Sequence, residues 1–252
     1  MQAVSTNSPL IKRSRQEAVF LSSSMIDRCI EQAGAALQES ERKASSVPTR
    51  IELGDAAAAL TKHRAALRAG YAAKLDDAIG NALREARTQA DAQPANPSAR
   101  PASEESTLAL LDDAEVARYV EASRLQQTAM PVVEHALARL DSLMSSAMGL
   151  PVVRADLNPL RPDVLCAALL ELLESLPEPA PLRAHWLRAL ARPFAGELRR
   201  LYESITELLQ AQGVEEARYR LKLVEGGAAP PKAGGGSGNG AGQGGTGQGG
   251  SG

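Results

Sequence analysis

The chain has 252 residues, a formal net charge of −2 and two cysteines. So balanced a charge gives no bulk attraction to nucleic acid or to a membrane surface. Two cysteines give no disulfide framework and fit a reducing compartment. Hydrophobic residues make up 44% of the chain but aromatics only 3%, so the core must be built from Leu and Ala, which favours helices over sheets.

Residues 1–14 show no periodicity and are expected to be disordered. No continuous apolar run follows Lys12, Arg13 and Arg15, which argues against a signal peptide. From Arg15 to Arg42, Val19, Met25, Ile26, Cys29, Ile30, Ala33 and Leu37 recur in steps of three and four, one face of a helix. "ASSVPT" at 44–49 breaks it at Pro48. A second helix is expected from about Asp55, its cap, to Ala90. Its stripe is Leu60, Leu67, Tyr71, Leu75, Ile79 and Leu83. Residues 15–90 therefore read as a helical hairpin or a coiled-coil-like pair.

"DAQPANPSARPASEES", 91–106, has three prolines and no large apolar residue, and reads as a linker between domains. Residues 107–225 then read as a helical bundle. Asp112 or Asp113 is placed to cap its first helix, Pro131 to split or kink it, and Gly149 with Pro151 to end it. A last helix is expected from Leu182 to Gln212, stopped by Gly213. Residues 226–252 hold 14 of the 21 glycines and read as a disordered Gly-rich tail. No stretch alternates apolar and polar residues as a strand would, and none is long enough to span a membrane. The fold class is all-α, and the expected compartment is the cytoplasm.

"NPLRPDVLCAALLELL" is the most organised stretch. Pro162 in a first helical turn has no N–H to leave unsatisfied, and Asp163 sits near the positive helix end. Asn158 before Pro159 is pushed toward a turn and can bond local backbone. The three residues Asn158, Pro159 and Pro162 read as a structural turn and cap. Cys166 lies among Leu165, Leu169, Leu170 and Leu173 and reads as a buried, inert thiol. His63, His135 and His185 have no metal-ligand spacing and read as solvated surface residues. The sequence offers no catalytic residue, cofactor or metal ligand: no P-loop, nucleophile elbow or dinucleotide fingerprint precedes a helix.

One surface stands out. At about 100° per residue, Leu187, Leu190, Phe194, Leu198, Leu201 and Ile205 share one face of the last helix, and Arg188, Arg192 and Arg199, with His185, share the opposite one. The bland reading is a solvated basic face. The functional reading is a docking stripe for an acidic protein surface, with Pro193 able to swing Arg199 off the line. The balanced charge does not favour nucleic acid, and self-association stays open.

"TLALLDDAEVARYVEAS", "NPLRPDVLCAALLELL" and "LRRLYESITELLQAQGV", in that order and spacing, resemble the DUF1631 family of bacterial proteins of unknown function. "MIDRCIEQAGAALQ" and "RIELGDAAAALTKHRAALRAGY" are similar to its N-terminal helices, so the resemblance spans roughly Ser24 to Val214. Its sharpest element is Asn158-Pro159-Leu160 followed by Pro162 and Leu165-Cys166. The resemblance implies no catalytic residues. Members are usually much longer than this chain, and some carry the transferred name thymidine phosphorylase, for which no motif is present. The expected function is a non-catalytic interaction or scaffold module; the alternative is an enzyme whose active site the sequence does not display.

Overall fold

The computed structural model describes residues 8–92 and 113–217. The described residues form helices α1 (Pro9–Lys43), α2 (Val47–Ala92), α3 (Asp113–Ala147), α4 (Pro162–Glu174) and α5 (Ala180–Ala211), with a single 3-10 turn at Ala155–Leu157 before α4. Among them there is no β-strand. The all-α expectation holds. Asp91 and Ala92 of the expected linker 91–106 belong to α2; the rest of that linker, the Asp112 cap and the tail at 226–252 lie outside the described residues, as do residues 1–7.

Two helix starts differ from the sequence reading. α1 begins at Pro9, not near Arg15: Ser8 Oγ accepts the Ile11 N–H at 3.2 Å, and Pro9 sits in the first turn. Ile11 and Ser14 are buried, so the apolar face extends backwards past the basic residues that obscured it. α2 begins at Val47, and Asp55 is an exposed mid-helix residue rather than a cap. The capping hydroxyl is Ser46, whose Oγ accepts the Thr49 N–H at 3.2 Å. Pro48 therefore opens a helix as well as closing off the previous one, because a first-turn residue has no intrahelical N–H bond to lose. Pro131 and Pro193 both lie inside uninterrupted helices, α3 and α5.

α1 and α2 form the expected hairpin and run antiparallel: Arg15 pairs with Asp76 at 2.6 Å and Arg64 with Asp27 at 2.6 Å, on either side of the turn at 44–46. α4 lies antiparallel along α2, with Arg161 3.5 Å from Glu85, Lys74 paired with Glu171, and the Tyr71 hydroxyl donating to Leu165 O at 3.4 Å. A side chain at Gly70 would meet Leu172, so glycine lets α4 approach. α5 packs on both α1 and α2. Trp186 is fully buried and donates from Nε1 to Ala56 O at 2.8 Å, and Tyr71 meets Phe194 edge-on at 6.1 Å between ring centres.

These contacts merge the hairpin and the bundle. The described helices share one core and fall in one compact unit, so the expected boundary between 15–90 and 107–225 does not separate two cores among the described residues. The reason is the width of the apolar face on α1 and α2. Ala18, Ala33 and Ala56 are fully buried alongside Ile26, Leu60 and Leu75. A face that wide cannot be covered by one partner helix, and α4 and α5 cover the remainder.

Candidate functional site: the groove between α3 and α5

α5 keeps its apolar face inward. Leu187, Leu190, Phe194, Leu198, Leu201 and Ile205 are all buried, as the sequence spacing demands. Arg188, Arg192 and Arg199 are exposed. Two grooves follow one another along the seam where α5 meets α3. The first, about 560 Å³, has an apolar floor that includes Leu125, Ala184, Leu187 and Ala191, and a rim carrying Arg124, Arg188 and Arg192 with Glu121. The second, about 530 Å³, carries Arg139 and Arg199 with Glu203 and Glu207, beside His135 and Val132. Residue numbers climb together on the two helices, so α3 and α5 run parallel along this seam.

The structure thus divides the sequence stripe. Arg188 and Arg192 line the first groove with Arg124 of α3; Arg199 lines the second. The split follows from the 3.6-residue turn: seven residues beyond Arg192 the side chain is two turns further along the helix. His185 is partly buried and sits 3.8 Å from Glu52 of α2, so it faces the hairpin. Sequence reasoning missed Arg124 and Arg139, which lie on another helix and have no spacing relation to α5. The rim cations are only lightly engaged: Arg124 pairs with Glu121 at 2.8 Å, Arg199 with Glu203 at 3.6 Å, and Arg188 Nε donates to Ala184 O at 3.2 Å. Exposed pairs of this kind contribute on the order of 0–1 kcal/mol, so a better-placed carboxylate can displace them.

Pro162 opens α4, and the Asn158 Oδ1 accepts the Leu160 N–H at 2.9 Å. Beyond that, Asn158 Nδ2 donates to Asp141 Oδ1 at 2.7 Å, and both residues are buried. Burial pushes the Asp141 carboxyl up to about 6, the Asn158 hydrogen bond pulls it back, and Asp156 raises it further. Ser145 Oγ accepts the Arg154 N–H at 3.0 Å, so the segment after α3 is tied to α3 at two points. No signal in the sequence marked Asp141 as buried.

Cys166 and Cys29 are both buried free thiols, and burial pushes each up to about 12, far from a reactive thiolate. His63 is not a solvated surface residue. Its Nε2 lies 2.6 Å from Glu178 Oε1, and its ring meets Trp186 edge-on at 5.9 Å. Its charged sequence neighbours hid this, because the partner comes from 115 residues away. Among the described residues, no three His, Cys, Asp or Glu side chains converge as metal ligands would. No described helix is long and apolar enough to cross a membrane.

No curated protein and no solved structure matches the chain. A family does: residues 7–213 match the family described as "Protein of unknown function (DUF1631) N-terminal domain". The match takes in all five helices and the turn at Asn158, so the resemblance seen in the sequence is a true membership: the chain belongs to the DUF1631 family, over its N-terminal domain.

Proposed function

We propose that this domain is a non-catalytic helical docking module that holds an acidic protein segment in the groove between α3 and α5. The observation that carries the reading is the first groove: an apolar floor with Leu125 and Leu187, rimmed by Arg124, Arg188 and Arg192, with Glu121 the one carboxylate among the described lining residues. Apolar surface supplies affinity without direction. Guanidinium groups supply direction, because their planar fork matches a carboxylate bidentately. The combination suits a protein surface better than nucleic acid. The chain's formal net charge of −2 gives no general field to hold a polyanion.

The test replaces Arg188, Arg192 and Arg199 together by Gln. All three are exposed, so the thermal unfolding midpoint is expected to stay within about 2 °C of the parent. Binding of acidic protein partners, captured by the parent and identified by mass spectrometry, is expected to be lost or to weaken at least tenfold. Loss on the parent should also grow as salt is raised. Retention of every partner at parental strength would reduce the arginines to an ordinary solvated face. A salt slope with duplex DNA steeper than with protein would point to nucleic acid instead.

A further inference from the structure

Resting on that docking reading, we infer that the occupant is an amphipathic α-helix lying along the α3–α5 seam, held in one orientation with its acidic end at the Arg124, Arg188 and Arg192 end. Two observations carry this. The first is shape. The grooves follow one another along two parallel helices, from Ala184 to Gln210 on α5 and from Glu121 to Arg139 on α3. At about 1.5 Å per residue the two grooves together span on the order of 30–40 Å, the length of a helix of roughly 20–25 residues. A third helix in the furrow between two others is ordinary bundle packing, and small floor residues such as Ala184, Ala191 and Ala136 let it approach. An occupant in β-strand form would need a sheet edge to pair its backbone, and no strand exists among the described residues to supply one.

The second observation is the charge along the channel. Among the described residues, three arginines face one glutamate in the first groove, and two arginines face two glutamates in the second. A helix with acidic residues at one end gains attraction in the first groove. Turned end for end, it would bring those residues against Glu203 and Glu207. Like charges brought together select against the wrong register more strongly than they reward the right one. The second groove instead offers Val132, which is 38% exposed, beside its balanced charges. The rest of that lining is mostly polar, with His135, Thr206 and Gln210, so that end suits a polar but weakly charged part of the occupant.

The experiment uses the full chain and a synthetic 22-residue amphipathic helix whose glutamates are confined to one end, with a fluorophore at that end. Cys29 and Cys166 are buried, so a nitroxide label goes to a new thiol. It is placed at Gln127→Cys beside the first groove, or at Gln210→Cys in the second; both positions are exposed. The fluorophore is expected to be quenched at least threefold more from position 127 than from 210. Glu203→Gln with Glu207→Gln should narrow that ratio. Equal quenching from both positions, or stronger quenching from 210, overturns the orientation. An unstructured glutamate peptide of the same charge binding as tightly as the helix overturns the helical occupant while leaving acidic docking intact. Tight binding of the helix that is unchanged in the Arg188, Arg192, Arg199 to Gln variant overturns both.

Discussion

Asp141 and Asn158 show how one buried contact couples a turn to a helix. Asp141 sits on α3 and its carboxyl is raised to about 6 by burial. Its ordinary value of 3.8 stands for the unfolded chain, so the folded protein binds this proton more tightly. The resulting stabilisation is fully present below pH 3.8 and is lost as pH rises through about 6. Asp141→Asn keeps an oxygen to accept from Asn158 and removes the charge. The variant is expected to be more stable than the parent at pH 7.5, by on the order of 2 kcal/mol, and equal to it near pH 4, as read by urea denaturation across that range. A parent–variant difference that does not change with pH would show that the carboxyl is not the titrating group. Asn158→Ala acts in the other direction. It strands the Leu160 N–H and the Asp141 carboxylate, and is expected to cost about 1–3 kcal/mol at neutral pH.

At the scale of elements, α1 and α5 are joined through a buried carboxylate. Glu197 is 2% exposed, and its Oε2 accepts from Arg28 Nε at 2.8 Å and Nη2 at 2.6 Å. Its Oε1 accepts from Arg200 Nη1 at 2.6 Å. The two arginines are not equivalent. Arg28 comes from α1 and brings two hydrogen bonds, whereas Arg200 is three residues away on α5 itself. Arg28→Ala is expected to cost roughly 2–3 kcal/mol, because a buried charge loses most of its compensation. Arg200→Ala is expected to cost under about 1 kcal/mol, the range of a local helical pair. Equal losses in chemical denaturation would mean that Glu197 serves α5 alone.

For the whole molecule, one core has a thermodynamic consequence. α5 touches α1, α2 and α3, so no helix pair can leave without exposing apolar surface on the others. The chain is expected to unfold in a single calorimetric transition with equal calorimetric and van't Hoff enthalpies. A fragment of residues 8–92 is expected to lack a cooperative transition, because the faces of α1 and α2 that meet α4 and α5 would be bare. Two resolved transitions in the full chain would restore a separate hairpin domain. A single unit also bears on docking. A groove between two helices that are each anchored elsewhere is held rigid, so an occupant does not have to order its own site.

The sequence by itself determined the helices, because the repeat of Leu and Ala every three or four residues is a local property of the chain. It determined the inward face of α5 and the turn at Asn158 and Pro162 for the same reason. It misplaced the starts of α1 and α2, where Ser8-Pro9 and Ser46 with Pro48 are short signals next to charged or weakly apolar residues. Only the tertiary structure decided which helices share a core, since the width of an apolar face says how much must be covered but not by what. It alone brought Arg124 to Arg188 and Arg192, drew His185 toward Glu52, and buried Asp141 against Asn158. Those partners lie between 17 and 133 residues apart in the chain, and neither periodicity nor propensity carries information over such distances.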